Sequence, residues 1–183
     1  MDKGHNVHII DNLSTGNKIL IPKNAKFTHC NINDESKISN LINSDKFDLL
    51  MHFAGFIQVE ESVQQPEKYF ENNTNNAIKL FNICKNNGLN KIVFSSTAAA
   101  YGSVIENKLI DEDTNLNPQN PYAESKIKTE KFLFDNQDDF KFIILRYFNV
   151  AGADKKLRSG QISKKSTHLI KIWTLIWLRK SCR

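Results

Sequence analysis

The pattern of apolar and polar positions alternates between two periods. Four short runs rich in β-branched and aromatic residues, over residues 5–11, 47–53, 91–96 and 140–148, read as strands. The last three are almost continuously apolar, which predicts strands buried on both faces of a parallel sheet. Residues 25–32 form a weaker run and add a fifth strand. Between them, residues 35–42 predict a short helix and residues 66–84 a longer one, with Tyr69, Phe70, Ala77, Leu80, Phe81 and Cys84 at helical spacing. Asn120-Pro121 opens a third helix through about Phe134, because proline suits the first helical turn, where its missing N–H is no loss. Strands alternating with helices predict a doubly wound α/β sheet of Rossmann-like type.

Composition narrows the class. A chain of 183 residues, 40% hydrophobic and 25% charged, suits one globular domain and excludes collagen-like, mucin-like and fully disordered chains. Cys30, Cys84 and Cys182 lie too far apart for a CxxC pair, and their odd number fits reduced thiols, which predicts a cytoplasmic protein. The first eleven residues lack the basic start and apolar run of a signal peptide, and no stretch reaches 18 apolar residues, so neither secretion nor a membrane span is expected. The net charge of +5 comes from nine basic and no acidic residues from Lys155 onward. Residues 1–154 hold sixteen basic against twenty acidic residues, a net of −4, which does not suit a nucleic-acid-binding face. The histidines show no metal-ligand spacing, and no metal is expected. His52 reads as a satisfied core histidine, Cys84 as a small core residue, and Phe132, Leu133 and Phe134 as packing for their helix.

In doubly wound sheets, ligands gather at the carboxyl ends of the strands. Four segments hold those places: residues 11–16, 52–55, 95–102 and 146–154. A carboxylate at Asp11 can accept from the ribose hydroxyls of a dinucleotide and disfavours a 2′-phosphate, which points to NAD; the Asp11-Asn12 pair equally suits an ordinary turn. Tyr122-Ala123-Glu124-Ser125-Lys126 places a phenol and an ammonium on one helical face, where the cation favours phenolate and readies Tyr122 as a base toward a hydroxyl. Two such residues four apart also occur on ordinary solvated helices. Thr97, after another strand, supplies a hydroxyl for the same substrate oxygen, and the combination is more specific than either part.

Taken together, Asp11-Asn12-Leu13-Ser14-Thr15-Gly16, His52-Phe53-Ala54-Gly55, Glu61-Ser62-Val63 with Pro66, Asn72-Asn73, Ser95 to Gly102, Asn120 to Lys126 and Leu145 to Asp154 resemble the UDP-glucose 4-epimerase family of extended short-chain dehydrogenase/reductases. The resemblance runs from about Lys3 to Ile172. It implies oxidation of a sugar-nucleotide C4 hydroxyl by bound NAD, turning of the 4-keto sugar, and hydride return to the opposite face. It makes Tyr122 the base, Lys126 its modulator and a nicotinamide-ribose ligand, and Thr97 the hydroxyl that orients the sugar. Asp11 and Asn12 would hold the adenosine ribose, Asn31 and Ile32 flank the adenine, and Phe53, Ala54 and Gly55 line the pyrophosphate and ribose path. Asn72, Ser95 and Phe148 complete the cofactor set. Asn149 would meet the substrate diphosphate, and His168-Leu169 its nucleotide end. Asn31 stands where an aspartate is common and Ile57 where some members have lysine. Related dehydratases carry Asp-Glu directly after the equivalent of Thr97; here Ala98-Ala99 stands there, which disfavours dehydration.

The same resemblance sets Asp11 at the end of the family's second strand. It therefore leads one to expect a preceding strand, a Gly-x-x-Gly-x-x-Gly turn and most of a helix ending at Gly4, none of which lies among the 183 residues. On this reading residues 1–154 are an incomplete NAD-binding domain, 155–172 the start of a substrate-binding segment, and 173–183 an atypical basic tail, accidental or disordered. Isolated, such a chain is expected to bind NAD weakly. A homodimer through the helices over 66–84 and 121–134 is a further expectation from the resemblance.

Overall fold

The computed structural model describes residues 3–103, 109–156, 158–160, 162, 169, 170, 172 and 173. In chain order it contains β1 (His8–Asp11), β2 (Lys26–His29), α1 (Glu35–Ser44), β3 (Leu50–His52), α2 (Val59–Gln64), α3 (Pro66–Tyr69), α4 (Asn76–Asn86), β4 (Lys91–Thr97), α5 (Pro121–Asp135) and β5 (Lys141–Tyr147). The five predicted strands and the helices around residues 35 and 121 are all present. The strands are shorter than the apolar runs in four of five cases, because the flanking residues leave the ladders.

All described pairings are parallel. β1 pairs with β2, and β3-β4-β5 form a second sheet with β4 at its centre. The α/β class with parallel sheets is therefore as expected. Among the described residues no ladder joins β1 to β3, so each has one unpaired edge.

The helix expected over 66–84 is present from Pro66 to Asn86, with one departure from regular winding. Gln65, with φ −133° and ψ 63°, separates α2 from α3, and the turn Phe70–Asn75 is π-helical before α4 resumes. Such wide turns recur at functional sites. α5 starts as the sequence dictates: the Asn120 side chain accepts from the Ala123 N–H at 2.9 Å, with Pro121 in the first turn.

One core joins the layers. Ile92 and Phe94 of β4 meet Leu80, Phe81 and Cys84 of α4 and Leu133 of α5, with Ile38 of α1 and Ile10 of β1 packed alongside. The expectation of strands buried on both faces fails for β3 and β5. Residues of the opposite face, Met51 at 55% and Ile143 at 59% exposure, lie open because no described helix covers them. Leu133 is buried and Phe132 packs against the core as expected. Phe134 is half exposed yet meets Phe142 edge-on at 5.3 Å. Burial pushes the Cys84 thiol up to about 12.

Candidate active site

β4, α5 and the loop after β3 converge. β4 ends at Thr97, which is buried, and its Oγ1 accepts from the Ala99 N–H at 3.2 Å, opening the 3-10 turn Ala98–Tyr101. Tyr122 stands half-buried in the first turn of α5, its ring 6.4 Å from that of Tyr69 and nearly perpendicular to it. Lys126, one turn later, is 3% exposed, so it is not a solvated helix lysine. Its Nζ donates to the Ser95 carbonyl at 3.0 Å and lies 5.2 Å from the centre of the Phe94 ring. Burial lowers its ammonium to about 8. Tyr69 behaves oppositely: burial first, and then its donation to Glu61 at 2.8 Å, push its hydroxyl up to about 12.

The loop after β3 reaches this lysine because it carries glycine. A Cβ on Gly55 would come 3.1 Å from Asn73 Oδ1 and 3.2 Å from Lys126 Nζ. Asn73, fully buried in the π-helical turn, accepts from the Phe56 N–H and donates to the Phe56 carbonyl, both at 2.9 Å, and donates to Ser125 Oγ at 3.3 Å. Ser125 Oγ in turn donates to the Tyr122 carbonyl at 2.7 Å. The sequence reading assigned Asn73 no role. Its only signal was the Asn72-Asn73 pair inside an apolar-periodic helix, where buried amides need partners.

A cavity of about 300 Å³ opens at the carboxyl ends of β1, β2 and β3. Asp11, Asn12, Asn31, Ile32, Ala54, Gly55 and Asn72 all line it, together with Ser14, Thr15 and Cys30. Asp11 Oδ1 accepts from the Leu13 N–H at 2.6 Å, and Asn12 Nδ2 donates to Asn31 Oδ1 at 2.7 Å. Leu13 takes φ 56°, and a Cβ on Gly16 would fall 2.7 Å from Asp11 Oδ2, so a larger residue there would push the carboxylate aside. The Asp11-Asn12 turn is thus real, and its carboxylate still borders the cavity.

Other expected residues are not drawn in. Phe53 and Phe148 are 55% and 76% exposed, Asn149 is exposed, and Leu169 is 63% exposed. His168 and most of the basic tail lie outside the described residues. His52 is buried as expected but not satisfied. It stacks on Phe94 with centroids 5.8 Å apart, Nε2 has no partner among the described residues, and burial lowers its imidazole to about 3. No group of three or more metal-ligating side chains occurs among the described residues, nor does a helix long and apolar enough to cross a membrane.

Residues 1–174 match the NAD dependent epimerase/dehydratase family. The chain is 42% identical over 173 residues to a UDP-glucose 4-epimerase of Azospirillum brasilense, covering 93% of this chain and 49% of that protein. The same identity holds to the Lactobacillus helveticus UDP-glucose 4-epimerase, over 92% of this chain and 51% of the relative. A crystal structure of a UDP-glucose 4-epimerase superposes with TM-score 0.92 at 35% identity, covering 98% of this chain and 55% of that one. The Brucella ovis UDP-glucose 4-epimerase in complex with NAD superposes at 0.87 with 32% identity, over 92% of this chain and 52% of that one. The chain thus spans about half the length of the relatives it matches, and the match over residues 1–174 makes it a member of the NAD dependent epimerase/dehydratase family.

Proposed function

We propose that this chain carries the catalytic half of a UDP-glucose 4-epimerase that interconverts UDP-glucose and UDP-galactose with NAD. One observation carries the reading. A buried ammonium stands one helical turn from a half-buried tyrosine, held on the carbonyl of Ser95, two residues before the hydroxyl of Thr97. The family membership and the names of the relatives support it.

The cavity suits the adenosine side of NAD. Its mouth has a carboxylate at Asp11, amides at Asn12 and Asn31, and an apolar wall at Ile10 and Ile32, at the strand ends where dinucleotides bind. Gly55 and Lys126 would border the nicotinamide ribose. When bound, NAD supplies the hydride acceptor and donor that the protein lacks. Tyr122 takes the proton of the sugar C4 hydroxyl and later returns it, the Lys126 ammonium favours the phenolate that does so, and Thr97 Oγ1 holds the same oxygen. Ala98 and Ala99 provide no acid or base beside Thr97, which supports epimerisation over water elimination. Tyr122→Phe should abolish conversion of UDP-galactose, read by coupled assay. Because burial sets Lys126 near 8, turnover should fall as pH rises through about 8 and the cation is lost.

A second reading is favoured because, among the described residues, no ladder joins β1 to β3, which leaves the two halves of the cavity on separate sheets. On it the 183-residue chain holds the residues but binds NAD weakly. Calorimetric titration with NAD, alongside a thermal melt, decides. Tight binding with turnover supports the first reading; a cooperative melt without binding supports the second. A cytoplasmic homodimer through the helices over 66–84 and 121–134 completes the proposal, and light scattering tests the dimer.

A further inference from the structure

A buried carboxylate lies beneath the site and takes no part in the chemistry above. Glu130 follows Lys126 by one turn on α5 and is 1% exposed. Ser96 Oγ donates to its Oε1. Arg146, 16% exposed at its side chain, grips it in a fork, with Nη2 on Oε2 at 2.7 Å and Nε on both oxygens at 3.1 and 3.2 Å. The remaining arm of the guanidinium donates through Nη1 to the Tyr101 hydroxyl at 2.8 Å, and the cation lies 5.1 Å from the Tyr101 ring centre.

Each partner borders a different piece of the site. Ser96 precedes Thr97 on β4, Glu130 shares a helix with Tyr122 and Lys126, and Tyr101 closes the turn that follows Thr97. Arg146 pairs with Ser96 across the ladder and precedes Tyr147, which pairs with Thr97. A buried ion pair of this kind adds little net stability against its desolvation, but removing one partner strands the other charge. Its two-pronged geometry instead fixes orientation.

We propose that Glu130 is a positioning residue: through Ser96, Arg146 and Tyr101 it sets the placement of Thr97 and of its ladder partner Tyr147 relative to Tyr122 and Lys126. The proposal rests on the catalytic reading of Thr97, Tyr122 and Lys126 given above. Glu130→Gln keeps the shape but breaks the fork, and Tyr101→Phe removes the nearer of two outer acceptors, the other being the Glu112 carbonyl at 3.5 Å. The test is hydrogen exchange read by mass spectrometry on the full chain. Both variants should exchange at least about tenfold faster in Ala98–Tyr101, and Glu130→Gln also over 145–147, with the β1–β2 sheet unchanged. Uniform acceleration, or none, overturns the proposal. If Glu130→Gln loses its cooperative melt, the Tyr101→Phe pattern decides alone. In the coupled assay Glu130→Gln should lower kcat about 10- to 100-fold with KM within about threefold, as expected when reacting groups are misplaced rather than lost. Glu130→Asp, which keeps the charge, should recover part of it. A wild-type chain without NAD binding or turnover defeats the catalytic reading and leaves the exchange pattern as the judge of the positioning.

Discussion

The two faces of the β3-β4-β5 sheet are built from similar residues and live in different surroundings. On one, Ile92 and Phe94 are 1% and 0% exposed beneath α4 and α5; on the other, Met51 and Ile143 are 55% and 59% exposed. Apolar side chains on a strand gain about 25 cal/mol per Å² only where something excludes water from them. The same composition therefore stabilises on one side and contributes little on the other. The covered side also holds the charged group of the site, since Lys126 is pressed against Phe94.

The sharpest way to break the contrast is Phe94→Ala. Phe94 is fully buried and packs on His52, Phe81 and Lys126, so its loss should cost about 3–5 kcal/mol by urea denaturation. Lys126→Met should move stability the other way. Lowering an ammonium from 10.5 to about 8 by burial corresponds to roughly 3 kcal/mol of desolvation, so the isosteric apolar side chain should raise Tm while abolishing turnover. The sign also fixes a pH effect: the folded state releases the Lys126 proton near 8 and the unfolded chain near 10.5, so between them this group makes the fold more stable as pH rises. The smallest effect belongs to the open face, where Met51→Lys and Ile143→Lys should stay within about 0.5 kcal/mol of the parent. A loss of several kcal/mol there would show that the face is covered in solution.

What the sequence disclosed was local. The Asn120-Pro121 helix start, the strand positions and the Asp11-Asn12 and Asn31-Ile32 pairs that line one cavity are each written within a few neighbouring residues. What it hid depends on contacts between distant segments. Glu130 and Arg146 are 16 residues apart, and in a helix of low amphipathicity a lone glutamate reads as a surface charge. The π-helical turn escaped because Tyr69, Ala77, Leu80 and Cys84 keep a helical spacing across it. Continuous apolar strands predicted cover on both faces because the pattern records what a strand can bury, not what lies on it.

The π-helical turn Phe70–Asn75 makes the chain's exact length matter on either side of it. Each residue added to or taken from a helix swings everything beyond it by about 100° around the axis. Below the turn, Tyr69 faces Tyr122; within it, Asn73 holds the Phe56 loop and Ser125; beyond it, Ala77, Leu80 and Phe81 enter the core. Adding or removing one residue elsewhere in this helix, outside the wide turn that can absorb it, would rotate one of these sets away from its partners. Substitutions in this stretch are judged by the chemistry of each side chain, whereas insertions and deletions outside the turn would be judged by geometry alone, and nearly all of them should be rejected.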